Sequence, residues 1–136
     1  MQRIKQLVLA VVLASAGAIA AAAPNPLSVH VLDLQTGQPS AGINVTLEQR
    51  AGESWRALSA GVTNAQGRIA ALYPDDKPMA AGEYRIVFKT GEHYARSGQP
   101  TFFPRVSVEF TAQQNAGHLH VPLLLSPFGY STYRGN

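Results

Sequence analysis

The 136-residue chain predicts an all-β fold of the antiparallel sandwich type, and three observations carry that expectation. Apolar and polar residues alternate at period two in short segments, as half-buried strands require. Turn-forming clusters separate these segments at roughly 8–12-residue intervals. No 3.6-residue periodicity runs long enough to build a helical layer.

The first segment is set aside as a leader. Gln2-Arg3-Ile4-Lys5 is a short basic region, Leu7 to Ala14 is an apolar run, and small residues follow through Ala23. Ala20-Ala21-Ala22 offers an Ala-x-Ala cleavage site, so residues 1–22 read as a secretory signal peptide and the mature domain as residues 23–136. The expectation is a periplasmic protein with no membrane attachment once the leader is removed. Removing Arg3 and Lys5 from the eleven basic residues leaves nine against eight acidic ones, so the overall +3 falls to +1. A nucleic-acid partner would call for a basic stripe or cluster, and none is present. The chain has no cysteine, which excludes disulfides, thiolate metal sites and thiol catalysis. About 114 residues suffice for one domain stabilised by a core and by subunit burial.

The strands follow in order. Leu27-Ser28-Val29-His30-Val31-Leu32 alternates cleanly, and Thr36-Gly37-Gln38-Pro39 ends it with turn chemistry. Ile43 to Glu48 sends Ile43, Val45 and Leu47 to one face, and Trp55 to Val62 is a weaker third strand. Asn64-Ala65-Gln66-Gly67 is a turn leading into a strand over Arg68 to Leu72. Gly82 to Thr90 sets Tyr84, Ile86 and Phe88 against Arg85, Val87 and Lys89. Glu92 to Ser97 is the single helical stretch. Arg105 to Thr111, His118 to Leu125 and Tyr130 to Arg134 complete the set.

The chemistry gathers on a few residues. Residues i and i+2 of a strand share a face, so His118 and His120 project together, away from Leu119, Val121, Leu123 and Leu125. With Val29 and Val31 in the core, His30 also points outward. One reading is a metal site, because a His-x-His pair with a third histidine resembles the ligand set of a catalytic zinc centre. The other is acid–base catalysis without metal, in which an imidazole works near neutrality and Arg68 holds an anion or stabilises an oxyanion. His93, in the short helix, reads as structural. No nucleophile elbow or phosphate-binding glycine loop occurs.

Three blocks carry a resemblance: Leu27-Ser28-Val29-His30-Val31-Leu32-Asp33, Asn64-Ala65-Gln66-Gly67-Arg68, and His120-Val121-Pro122-Leu123-Leu124-Leu125-Ser126-Pro127-Phe128-Gly129-Tyr130-Ser131-Thr132-Tyr133-Arg134-Gly135. Together with Gly82 to Phe88 and Phe102-Phe103-Pro104, they closely resemble the 5-hydroxyisourate hydrolases, the transthyretin-related proteins of urate breakdown. The resemblance implies a transthyretin-like sandwich of two four-stranded antiparallel sheets with one short helix. It further implies a homotetramer, a dimer of dimers, whose central channel holds the active sites. The implied catalytic residues are His30, Arg68 and His120, with His30, Arg68 and Tyr133 binding substrate. His118, Arg134 and Asn136 are secondary candidates. The implied reaction opens the six-membered ring of 5-hydroxyisourate by hydrolysis, with no cofactor and no metal. One departure stands out: the family usually ends in serine, and this chain ends in Asn136, whose amide cannot relay a proton as a hydroxyl does. Competing readings are a small-ligand carrier of the transthyretin type and a periplasmic metal-binding protein using His30, His118 and His120.

Overall fold

The alternation becomes eight strands and one helix, seen in a computed structural model that describes residues 24–136. The leader assigned to residues 1–22 lies outside the described residues. The strands are β1 (Leu27–Asp33), β2 (Asn44–Ala51), β3 (Ser54–Val62), β4 (Arg68–Ile69), β5 (Gly82–Phe88), β6 (Val106–Ala112), β7 (Leu119–Ser126) and β8 (Gly129–Thr132), with α1 (Thr90–Arg96) between β5 and β6. They form two four-stranded sheets, β4-β1-β7-β8 and β3-β2-β5-β6.

The core lies between the sheets and is built from the apolar half of each alternation. Leu27, Val29 and Val31 of β1 meet Leu123 and Leu125 of β7, Val45 and Leu47 of β2, and Tyr84, Ile86 and Phe88 of β5, all essentially inaccessible to solvent. Each fully buried aliphatic or aromatic side chain contributes about 1.5–3 kcal/mol. With no cysteine in the chain, no disulfide supplements this core.

The pairing departs from the antiparallel expectation at one place. β1 runs parallel to β7, with Ser28 opposite His120 and His30 opposite Pro122, while every other described strand pair is antiparallel. Parallel strands need a long crossover, and here the whole second sheet supplies it. This pairing matters for the site because it brings together residues about ninety positions apart.

Several boundaries shift. The expected strand over Arg68 to Leu72 shortens to Arg68–Ile69, because Leu72 turns inward to full burial and its N–H bonds Leu27. The helix begins two residues early, at Thr90, where Gly91 lies against Pro104 so closely that a Cβ would stand 2.7 Å from the Pro104 carbonyl oxygen. β7 starts at Leu119 and leaves His118 on the approach, after Gly117 with φ of 73°. β8 ends at Thr132, so Tyr133 and Arg134 belong to a tail that pairs back on β7 through a bridge between His120 and Gly135.

Candidate active site

Arg68 is placed by its turn. The Asn64 side-chain oxygen accepts from the backbone N–H groups of Gln66 and Arg68, both at 3.0 Å, and the Asn64 and Gly67 backbones close the loop. Gly67 has φ of 70°, and a Cβ there would stand 2.5 Å from the Val31 carbonyl oxygen. Only glycine lets this turn lie so close to β1. The Gly67 carbonyl then accepts from the Val31 N–H at 2.8 Å, and Arg68 pairs directly with His30 across β1 and β4.

His30 and Ser28 stand on the outward face of β1, since Leu27, Val29 and Val31 occupy the core. The parallel register sets His120 opposite Ser28 on that same face. Arg68, His30, Ser28 and His120 thus form one row across three strands. The Ser28 hydroxyl lies 2.7 Å from His120 Nδ1 and 2.8 Å from His118 Nε2. His118 Nδ1 in turn lies 2.9 Å from the Asn25 carbonyl oxygen.

The C-terminal tail closes the other side of His120. The Gly135 N–H donates to the His120 carbonyl at 2.8 Å, and a Cβ at Gly135 would stand only 2.6 Å from His120 Cδ2. Nδ1 and Cδ2 flank the ring's attachment point on opposite sides. The imidazole is therefore held along both edges, with Nε2 at its far end. Tyr133 and Arg134 are exposed and line a cleft of about 460 Å3 with His120, Glu109, Phe110 and Thr132. Asn136 is exposed at the chain end. A smaller hollow of about 230 Å3 lies beside Ser28, Arg68 and His118.

Electrostatics tie the row together. His30 sits below the usual imidazole range, first through burial and then through Arg68, with the Gln66 backbone acting the other way. His120 is also lowered, by burial first, then by Arg68, His30 and His118, while the Ser28 backbone opposes the shift. One guanidinium thus acts on both imidazoles and favours their neutral forms. A neutral imidazole can accept a proton near pH 7 and pass it on as the imidazolium, and the neighbouring cation favours an electron-rich ligand.

The structure brings His30, Arg68, His118 and His120 into one neighbourhood and sets Tyr133 and Arg134 on the cleft that His120 also lines. The metal reading does not assemble: among the described residues no group of three or more histidine or acidic side chains is arranged to hold an ion. His118 has both ring nitrogens engaged by hydrogen bonds, and His120 has one engaged. His93 lies apart, half-buried against Tyr94 in α1. Sequence reasoning missed Ser28 and the contact of Gly135 with the His120 ring. Ser28 carried a usable signal, being a polar residue on the same strand face as His30. Gly135 stood in the C-terminal block that carries the resemblance, but nothing there pointed to its contact with the His120 ring.

Residues 27–135 match the family described as HIUase/Transthyretin. The chain is 50% identical over 136 residues to a 5-hydroxyisourate hydrolase of Salmonella typhimurium, covering 97% of this chain and 99% of that protein. It is 40% identical over 114 residues to a 5-hydroxyisourate hydrolase of Caulobacter vibrioides, covering 81% of this chain and 97% of the other. Among solved structures, Klebsiella pneumoniae 5-hydroxyisourate hydrolase superposes with a TM-score of 0.73 at 39% identity, covering 82% of this chain and 99% of that one. Sea bream transthyretin in complex with thyroxine superposes with a TM-score of 0.75 at 32% identity, covering 81% and 94%.

Proposed function

The chain belongs to the HIUase/Transthyretin family, and on that premise we propose that it is a hydrolase that converts 5-hydroxyisourate to 2-oxo-4-hydroxy-4-carboxy-5-ureidoimidazoline. The observation that carries this reading is the row of two neutral-biased imidazoles beside one guanidinium on an outward sheet face. In the reaction, one imidazole takes a proton from water as its oxygen bonds to a ring carbonyl carbon. The carbon–nitrogen bond of the ring then breaks, and the departing nitrogen receives a proton from the imidazolium just formed or from solvent. Water is added across one amide bond, and a carboxylate replaces the ring carbonyl. Arg68 binds the oxygens of the electron-rich ring and offsets the negative charge that develops on the attacked carbonyl. Tyr133 hydrogen-bonds substrate from the tail, with Arg134 and Asn136 beside it.

The assembly and location belong to the same proposal. We place the enzyme in the periplasm on the strength of the leader, and in a homotetramer on the strength of the family resemblance. Phe102, Phe128, Tyr130 and Tyr133 are between 42% and 73% exposed in the single chain, which favours their burial by partner subunits. Native mass spectrometry reads the subunit number directly: four supports the proposal, and a monomer defeats that part of it.

A carrier role is the second reading, favoured by the superposition on a thyroxine-bound transthyretin. The hydrolase reading has the stronger support, through higher identity to hydrolases and through His30, Arg68 and His120 together. Turnover in 18O-labelled water separates the two. The proposal predicts protein-dependent appearance of one 18O in the product carboxylate at a rate above spontaneous decay. Binding without turnover supports the carrier.

A further inference from the structure

The hydrogen bonds around His120 can be ordered proton by proton. The Asn25 carbonyl only accepts, so His118 Nδ1, 2.9 Å away, carries a hydrogen. In neutral His118 the other nitrogen, Nε2, is then a bare acceptor, and at 2.8 Å it takes the hydroxyl hydrogen of Ser28. Ser28 has no second hydrogen to give, so its oxygen accepts from His120 Nδ1 at 2.7 Å. The chain of donors has one consistent direction, set by a backbone carbonyl at its end. Its consequence lies at the far edge of His120: with the proton fixed on Nδ1, Nε2 presents a lone pair.

We propose that Ser28 and His118 are positioning residues that hold His120 in its Nδ1–H tautomer, making His120 Nε2 the atom that takes the proton from water. This assignment rests on the hydrolase reading for its catalytic meaning, and the tautomer itself stands independently of it. Gly135 completes the arrangement by bounding the opposite ring edge, where its bare Cα leaves room for Cδ2. His30 stands at the other side of the row, where its ring meets the Gln66 backbone at the turn, with Arg68 beside it. With His120 Nε2 as the proton acceptor, His30 is left to orient the attacking water. The second hollow, bordered by Ser28, Arg68 and His118, sets the relay beside the guanidinium that binds substrate.

The test is a histidine-selective 15N label and a long-range proton–nitrogen correlation spectrum at pH 8, with His120→Asn used to assign the signals. The relay predicts that His120 carries its hydrogen on Nδ1; a hydrogen on Nε2 overturns it. In Ser28→Ala the preference is lost, so His120 shows Nε2–H or a mixture, and kcat falls about ten- to a hundred-fold, the usual scale for outer partners that orient a histidine, with KM little changed. Ser28→Thr keeps the hydroxyl and restores both the tautomer and kcat. His118→Phe removes the acceptor, frees the Ser28 hydrogen to turn toward His120, and converts that ring to Nε2–H. An unchanged tautomer in both Ser28→Ala and His118→Phe overturns the relay. Because the spectrum involves no substrate, absence of wild-type turnover would remove the hydrolase reading and leave the tautomer result standing.

Discussion

Replacing Gly135 with alanine asks how far the tail determines the position of the His120 ring. A Cβ at Gly135 stands 2.6 Å from His120 Cδ2, 3.1 Å from Pro122 Cγ and 3.2 Å from the His120 carbonyl oxygen. Ordinary contact begins near 3.4 Å, so ring and tail must separate by about 0.8 Å. The ring cannot simply swing away, because Nδ1 is held 2.7 Å from the Ser28 hydroxyl. Either His120 shifts and loses that bond, or the tail lifts and loses the Gly135 bond to the His120 backbone. In the first case the proton acceptor moves by a sizeable fraction of an ångström relative to Arg68 and His30; in the second the ring loses the wall along its Cδ2 edge and Tyr133 moves with the tail. A misplacement of about 1 Å costs roughly a hundred-fold in rate, so Gly135→Ala is expected to lower kcat about thirty- to a hundred-fold. Stability should fall by only about 1 kcal/mol, since the contact lies on a partly exposed face. The assay is the ultraviolet absorbance decay of freshly generated 5-hydroxyisourate, run beside a thermal melt. Wild-type kcat in a folded variant would refute the clamp.

Four further outcomes follow from the same geometry. His120→Asn should lower kcat by about 10²–10⁴-fold, the usual contribution of a positioned general base, with the oligomer unchanged by native mass spectrometry; a variant with normal turnover contradicts the assignment. Burial and Arg68 lower both His30 and His120 from 6.5, so the acid limb of wild-type kcat/KM should have its midpoint below 6.5, with activity lost as the pH falls through it. Arg68→Gln removes one of the lowering causes and should move that acid limb upward in the residual activity, whereas an unmoved limb contradicts the electrostatic link. Gly67→Ala forces a side chain onto φ of 70° and against the Val31 carbonyl, which should cost about 1–3 kcal/mol in chemical denaturation; a neutral substitution would show that the turn has room to move.

The fold was largely legible because each strand carries its own burial pattern. Val29 and Val31 against Ser28 and His30, or Tyr84, Ile86 and Phe88 along β5, declare a face without reference to any partner. The Asn64 to Arg68 turn was equally local: an Asn two residues from a backbone N–H and a glycine at positive φ are chemical signals. What stayed hidden depends on pairing between distant segments. The parallel register of β1 and β7 has no sequence signature, yet it alone sets Ser28 against His120. The expectation that His118 and His120 share a strand face brought them to the right region for an incomplete reason. His118 precedes the strand, and it meets the site through Ser28 and Asn25. Gly135 was legible as part of the tail motif, but its contact with the His120 ring was hidden for a similar reason, since the ring packed against it is not among its neighbours along the chain.

The central claim is that this sheet face hydrolyses 5-hydroxyisourate through His120. It is tested most directly by following the absorbance decay of freshly generated 5-hydroxyisourate with no protein, with the wild-type protein, and with His120→Asn. The account predicts a decay accelerated in proportion to wild-type protein and indistinguishable from the spontaneous rate, or nearly so, with His120→Asn. Wild-type protein that leaves the spontaneous rate unchanged, or a His120→Asn variant that accelerates it equally, would contradict the claim.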